Sequence, residues 1–173
     1  MPAESPIDIR HVGGLNYCRQ TVHEAMRLFP PAPGIGRLPN TAMTVAGMRI
    51  STRTRIHIPI FALRRNVRLW DNPTAFDPDR FAADRVKTCS RYAYLPFGGG
   101  LRVCIGASVA TIEATVILAF LVRAFRFQSP AAHKPKPVAR VTLRPAGGMP
   151  LLIAAREPLV AVGPSKFVNN KAS

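Results

Sequence analysis

Apolar and polar positions alternate with a helical period at the start of the chain, a strand-like period in the middle, and both towards the end. Val22, Ala25, Met26 and Phe29 make one apolar stripe, which predicts a helix from near Tyr17 to Phe29. Pro30-Pro31 stops it, because proline has no amide to continue the ladder. Met1 to about Asn16 reads as a weakly structured lead-in broken at Gly13-Gly14. Between Leu38 and Pro59 the texture is strand-like: Thr44–Ile50 suggests a hairpin and Arg55–Ile58 alternates. A short helix is expected over Phe61–Asn66, and the prolines and aspartates from Asp71 to Pro96 signal a meandering loop. A long helix then runs to about Phe125. Its most apolar part, Ala114–Val122, reads as a buried core helix too short to span a bilayer. Val138–Leu143 and Leu151–Ala155 read as strands around a Gly147-Gly148 turn, and Gly163–Ser173 as a frayed end.

Composition narrows the class. A chain of 173 residues suits one domain, able to bury roughly two-thirds of its unfolded surface. Hydrophobic residues make up 47% of it, too many for a disordered chain. The 24 Lys and Arg against 9 Asp and Glu give a net charge of +15, which invites a nucleic-acid reading. The arginines are scattered, however, with no dense basic run and no interleaved aromatics, so no nucleic-acid partner is expected. Cys18, Cys89 and Cys104 form no Cys-x-x-Cys pair, and His11, His23, His57 and His133 share no ligand spacing, which argues against zinc. An odd cysteine count and the lack of an apolar segment in Met1–Arg10 point to a reducing, cytoplasmic setting.

The candidate chemistry lies in Phe97-Gly98-Gly99-Gly100-Leu101-Arg102-Val103-Cys104-Ile105-Gly106. A cysteine just before a helix meets the positive end of the helix dipole, and Arg102 adds a full charge, so its thiolate is favoured. The glycines let main-chain amides turn towards the sulfur. A buried, amide-bonded thiolate with room above it suits a metal ligand. A phosphate-cradling reading fails, because no Gly-Lys-Ser/Thr follows the glycines.

This loop resembles the haem-binding signature of the cytochrome P450 monooxygenases, Phe-x-x-Gly-x-Arg-x-Cys-x-Gly, at all five fixed positions: Phe97, Gly100, Arg102, Cys104 and Gly106. The resemblance implies that Cys104 is the axial ligand of haem iron, that Phe97 shields the sulfur and that Arg102 bonds a propionate. Gly100 and Gly106 would let the loop turn and the haem pack on the following helix. Glu24-Ala25-Met26-Arg27 resembles the family's Glu-x-x-Arg helix, and Pro78-Asp79-Arg80-Phe81 its Pro-Glu-Arg-Phe segment with Asp79 for Glu, implying a structural Glu24–Arg27–Arg80 network. Arg37 stands where the family often places a second propionate ligand, and Ile35 and Met149 where it borders the substrate pocket. Trp70 is expected in the core.

The fold implied is mainly α with small β-sheets (α+β), the C-terminal part of the P450 fold, with residues 1–173 as one partial domain and its core at about 17–156. The implied activity is haem-thiolate monooxygenation of a small apolar substrate, with haem b (iron protoporphyrin IX) as cofactor. NAD(P)H would act indirectly through a ferredoxin- or flavodoxin-type electron donor, received on a basic face to which Arg64, Arg65, Arg91 and Arg102 contribute. No stretch matches the family's distal helix with its acidic–threonine pair. The expectation is therefore a truncated or split chain, inactive alone, whose N-terminal half is a separate fragment. The alternative is an inactive remnant that at most binds haem.

Overall fold

The computed structural model describes residues 9–86, 90, 92–131 and 133–156. Cys89, Arg91 and the expected frayed end lie outside the described residues, as does the first half of the expected lead-in. A short helix α1 (Ile9–Val12) precedes helix α2 (Asn16–Leu28). Phe29 leaves the helical region at φ −127°, as the residue before a proline must. After α2 come β1 (Ile35–Arg37), the hairpin strands β2 (Met43–Val45) and β3 (Met48–Ile50), and β4 (Ile56–Ile58). Helix α3 (Ile60–Leu63) is shorter than predicted, and a 3-10 turn covers Pro78–Phe81. Helix α4 (Ala107–Ala124) follows the cysteine loop. The described residues end in β5 (Phe125–Gln128), β6 (Lys136–Ala139), β7 (Leu143–Ala146) and β8 (Leu152–Ala155).

The strands form four antiparallel two-stranded sheets, β1 with β4, β2 with β3, β5 with β8 and β6 with β7. The C-terminal reading needs correction here. Val138–Leu143 is not a strand: Arg140-Val141-Thr142 is the turn of the β6–β7 hairpin, and Gly147-Gly148 leads out of β7 towards β8, which pairs with β5. The cause is a turn closed by an Arg140 amide bond to the Thr142 carbonyl (3.1 Å), with no glycine or proline to advertise it.

The packed centre is small. Helix α2 lies against both α4 and the 3-10 turn, and Leu28, Ile60, Trp70, Ala93 and Ala119 are its buried apolar residues. Thr115 and Ala119, one turn apart on α4, are that helix's buried positions, and small side chains there admit close approach. The rest of α4 is largely exposed, including Ile117 and Phe120, so the expected buried core helix is open on most of its circumference. The apolar stretch extends beyond Ala114–Val122: all 18 residues of the helix together are apolar and long enough, by length and composition alone, to cross a membrane. Its packing against α2 makes it an element of this fold's core layer, uncovered on its far side.

Candidate functional site

Two clusters hold the chemistry-bearing residues, one buried and one exposed. In the first, Glu24 and Arg27 sit one turn apart on α2 and pair side-on: Arg27 Nε donates to Glu24 Oε2 at 2.7 Å and Nη2 to Oε1 at 2.8 Å. Both are fully buried, so this is no solvated surface pair. Arg27 spends its remaining donors on the carbonyls of Arg64 (2.8 Å), Pro73 (2.7 Å) and Ala75 (2.9 Å). Glu24 Oε1 also accepts from the Asp77 amide at 2.9 Å and lies 3.5 Å from Arg80 Nε. Arg80 Nη2 donates to the Asn72 carbonyl at 3.0 Å. One carboxylate and two guanidiniums thus tie α2 to the meandering segment 64–80. Glu24 answers Arg27 with two hydrogen bonds, and Arg80 finds further counter-charge in Asp77 Oδ2 at 3.9 Å, which is what permits these charges indoors.

Four residues to which the sequence reading gave no part in this cluster extend it towards the cysteine loop. Arg64, fully buried, donates from Nη1 to the Met26 carbonyl and lies 4.9 Å from the centre of the Tyr94 ring. Burial pushes its pKa down to about 10, partly offset by Tyr94 and reinforced by Arg27. Tyr94 OH donates to the His23 carbonyl at 3.0 Å, so its oxygen is left to accept from His23 Nδ1 at 2.9 Å. Burial raises the Tyr94 phenol and lowers the His23 imidazole, the latter with help from Arg19. Arg65 donates to the Leu28 carbonyl and stacks on Phe61, its ring centre 3.8 Å away. Arg64 and Arg65 therefore cap the carbonyl end of α2, where a helix carries partial negative charge. The expectation that Arg64 lines an exposed basic face is corrected: desolvated at the helix end, it faces no solvent, and Arg65 is half-buried beside it. Periodicity carries no trace of such caps. Trp70 is buried, with Arg27 at 5.2 Å from its ring centre.

Tyr94 opens the second cluster, since Leu95, Pro96 and Phe97 lead directly into the loop. Gly98 (φ +83°) and Gly100 (φ +71°) adopt left-handed backbone that other residues enter only with strain. Their turns fold the loop so that the Cys104 amide donates to the Phe97 carbonyl at 2.9 Å. Gly106 caps α4, and a Cβ there would touch Cys104 Sγ at 3.8 Å. Cys104 itself is exposed, against the expectation of a buried thiolate, because no element among the described residues covers that end of α4. Phe97 is half-buried and Arg102 exposed. Leu101 and Ile105 stand fully in solvent at 105% and 102% exposure, with Val103 and Val109 also open, so the sulfur sits in an apolar apron. A hollow of about 420 Å³ undercuts the loop, lined by Tyr92, Tyr94, Leu95, Gly98, Gly100 and Val103.

Strand β1 brings further candidates alongside. A Cβ on Gly98 would lie 3.8 Å from Ile35 Cδ1 and 3.9 Å from Arg37 Nη2. Arg37 thus adds a second cation beside the loop, and Ile35 an apolar neighbour. Met149 is exposed between β7 and β8, and no hydrogen bond, ion pair or ring contact among the described residues joins it to the loop.

The profile of the cytochrome P450 family matches residues 1–151. The chain belongs to the cytochrome P450 family. Mouse cytochrome P450 4A10 is 35% identical over 146 residues, 84% of this chain and 28% of that protein. Cytochrome P450 714C2 of Oryza sativa subsp. japonica is 35% identical over 150 residues, 85% of this chain and 28% of that one. Among solved structures, the cytochrome P450DA heme domain superposes with a TM-score of 0.84 at 27% identity, over 91% of this chain and 35% of that chain. The α+β arrangement is therefore a part of the P450 fold, and the chain spans less than a third of the length of the curated relatives it matches.

Proposed function

We propose that this chain supplies the thiolate side of a haem-thiolate monooxygenase site, with Cys104 as the iron ligand. The observation that carries this reading is an exposed sulfur at the start of α4, ringed by exposed Leu101, Val103, Ile105 and Val109 and flanked by the cations Arg37 and Arg102. Iron protoporphyrin IX fits such residues: a thiolate donor for the metal, an apolar surface for a flat ring, and guanidiniums for its propionates. When bound, the haem would supply iron chemistry that places one atom of O₂ into an apolar substrate and releases the other as water, with NAD(P)H electrons arriving through a ferredoxin- or flavodoxin-type donor.

The protein's own contributions follow from its geometry. Gly98 and Gly100 turn the loop backbone, and the Phe97 carbonyl fixes the Cys104 amide. Gly106 leaves the flank of the sulfur free of side chain. Thiolate ligation pushes electron density onto iron, a general property of this ligand class. Arg37 and Arg102 are assigned to the propionates, Ile35 and Met149 to the substrate's border.

A second reading is a haem-binding portion that turns over nothing without a separate N-terminal half. The exposed side of α4 favours it. Haem titration separates the two. Stoichiometric binding together with NAD(P)H-dependent oxidation in the presence of a redox donor supports the first, and binding without turnover supports the second. No binding overturns both. Arg37→Ala with Arg102→Ala is expected to weaken haem affinity by roughly tenfold or more, the scale of lost charge-assisted bonds.

A further inference from the structure

Tyr94 is where the cysteine loop meets the helix layer, and its ring is held from several directions. Phe81, in the 3-10 turn, lies 4.7 Å away centre to centre and tilted by 53°. Trp70 meets it edge-on at 6.4 Å, and the Arg64 guanidinium stands 4.9 Å from its centre. The hydroxyl is held twice by one residue. It donates to the His23 carbonyl at 3.0 Å and accepts from His23 Nδ1 at 2.9 Å. A phenol with its donor and an acceptor site both engaged is fixed at its tip as well as around its rim.

The loop beyond Tyr94 is largely self-bonded. The Gly98 amide donates to the Leu95 carbonyl (3.4 Å), the Val103 amide to Gly100 (3.2 Å) and the Cys104 amide to Phe97 (2.9 Å). The hollow of about 420 Å³ borders Leu95, Gly98, Gly100 and Val103, so this unit stands over open space, and Tyr94 forms part of the same wall. Its placement is therefore set at its stem. The path from there to the sulfur is short, because Phe97, whose carbonyl holds the Cys104 amide, follows Tyr94 by three residues. The buried ion network serves a different segment: Arg27 and Arg80 reach the carbonyls of Arg64, Asn72, Pro73 and Ala75.

We propose that Tyr94 is a positioning residue for Cys104, and that the two hydrogen bonds between its hydroxyl and His23 are the latch that fixes the cysteine loop on α2. Tyr94 acts through the Phe97 carbonyl and not on the ligand itself. With the latch open the stem gains freedom, the Phe97 carbonyl leaves the Cys104 amide more often, and the sulfur loses its fixed place. What the placed sulfur ligates rests on the haem reading; the latch rests on geometry alone.

The test uses the whole chain and two measurements. The first is amide hydrogen exchange without haem, read at Cys104 and, for reference, in the middle of α4. The Cys104 amide is expected to be protected in the parent. Tyr94→Phe keeps the ring and removes both bonds, and should speed exchange at Cys104 by roughly tenfold or more while the α4 amides stay as they are. His23→Leu removes one bond and should speed it by about threefold. His23→Asn keeps an N–H donor near the place of Nδ1 and should restore most of the protection. The second measurement is the lifetime of the thiolate-type Soret band in the reduced, carbon-monoxide-bound, haem-loaded chain, expected to shorten by about fivefold in Tyr94→Phe and to recover in His23→Asn relative to His23→Leu. An unprotected Cys104 amide in the parent, unchanged exchange in Tyr94→Phe, equal acceleration in α4, no rescue by His23→Asn, or a thiolate band as durable in Tyr94→Phe as in the parent would overturn the latch. A parent without any thiolate band refutes the haem reading instead, and exchange at Cys104 still decides the latch.

Discussion

Glu24 shows what a single side chain decides in this molecule. It neutralises Arg27, approaches Arg80 and accepts the Asp77 amide, all out of water. Glu24→Gln would leave two buried guanidiniums short of a counter-charge, at a cost of about 3–5 kcal/mol, the usual penalty for breaking a buried pair. Denaturant unfolding of parent and variant measures it, and a change under about 1 kcal/mol would mean the network is solvated. His23 sets a pH dependence. Burial lowers its pKa below 6.5, so below that value the unfolded chain binds the extra proton and the folded one resists it. Stability should be full above pH 6.5 and fall as pH drops through the acid range below it, and His23→Gln should flatten that part of the profile. An unchanged slope in the variant would place the dependence elsewhere. Glu24, Arg27 and Arg80 were visible in sequence as motif residues. Arg64, Arg65, Tyr94 and His23 were not, because a guanidinium that caps a helix from 37 or 38 residues away leaves no spacing to read.

Elements were legible where their turns announce themselves. Pro30-Pro31 ends α2 and Gly47 marks the β2–β3 turn, and both lie where the pattern put them. The β6–β7 turn hid because Arg140-Val141-Thr142 contains no turn-favouring residue, while the nearby Gly147-Gly148 drew the reading. Helix α4 was recognised as a helix, but its burial was misjudged: composition reports that a helix is apolar, not that anything covers it. The two sides of α4 should answer mutation differently. Ala119→Leu forces extra volume into the contact with α2 and should cost about 1–3 kcal/mol. Ile117→Ser, half-exposed on the open side, should cost under about 1 kcal/mol and reduce aggregation. Equal costs for both would mean the open side is packed in solution, as in a self-associated state that light scattering would detect.

At the scale of the molecule, the described residues form a framework from which Cys104 stands exposed, and the proposed reading makes that sulfur the ligand of haem iron. The buried ion network fixes α2, Tyr94 joins it to the loop, and the loop presents sulfur within an apolar apron beside Arg37. The decisive measurement is the spectrum of the reduced, carbon-monoxide-bound, haem-loaded chain compared with its Cys104→Ala variant. A thiolate-type Soret band in the parent that vanishes in the variant is the predicted result; a band of nitrogen ligation in the parent, or one unchanged by the loss of that sulfur, contradicts the account.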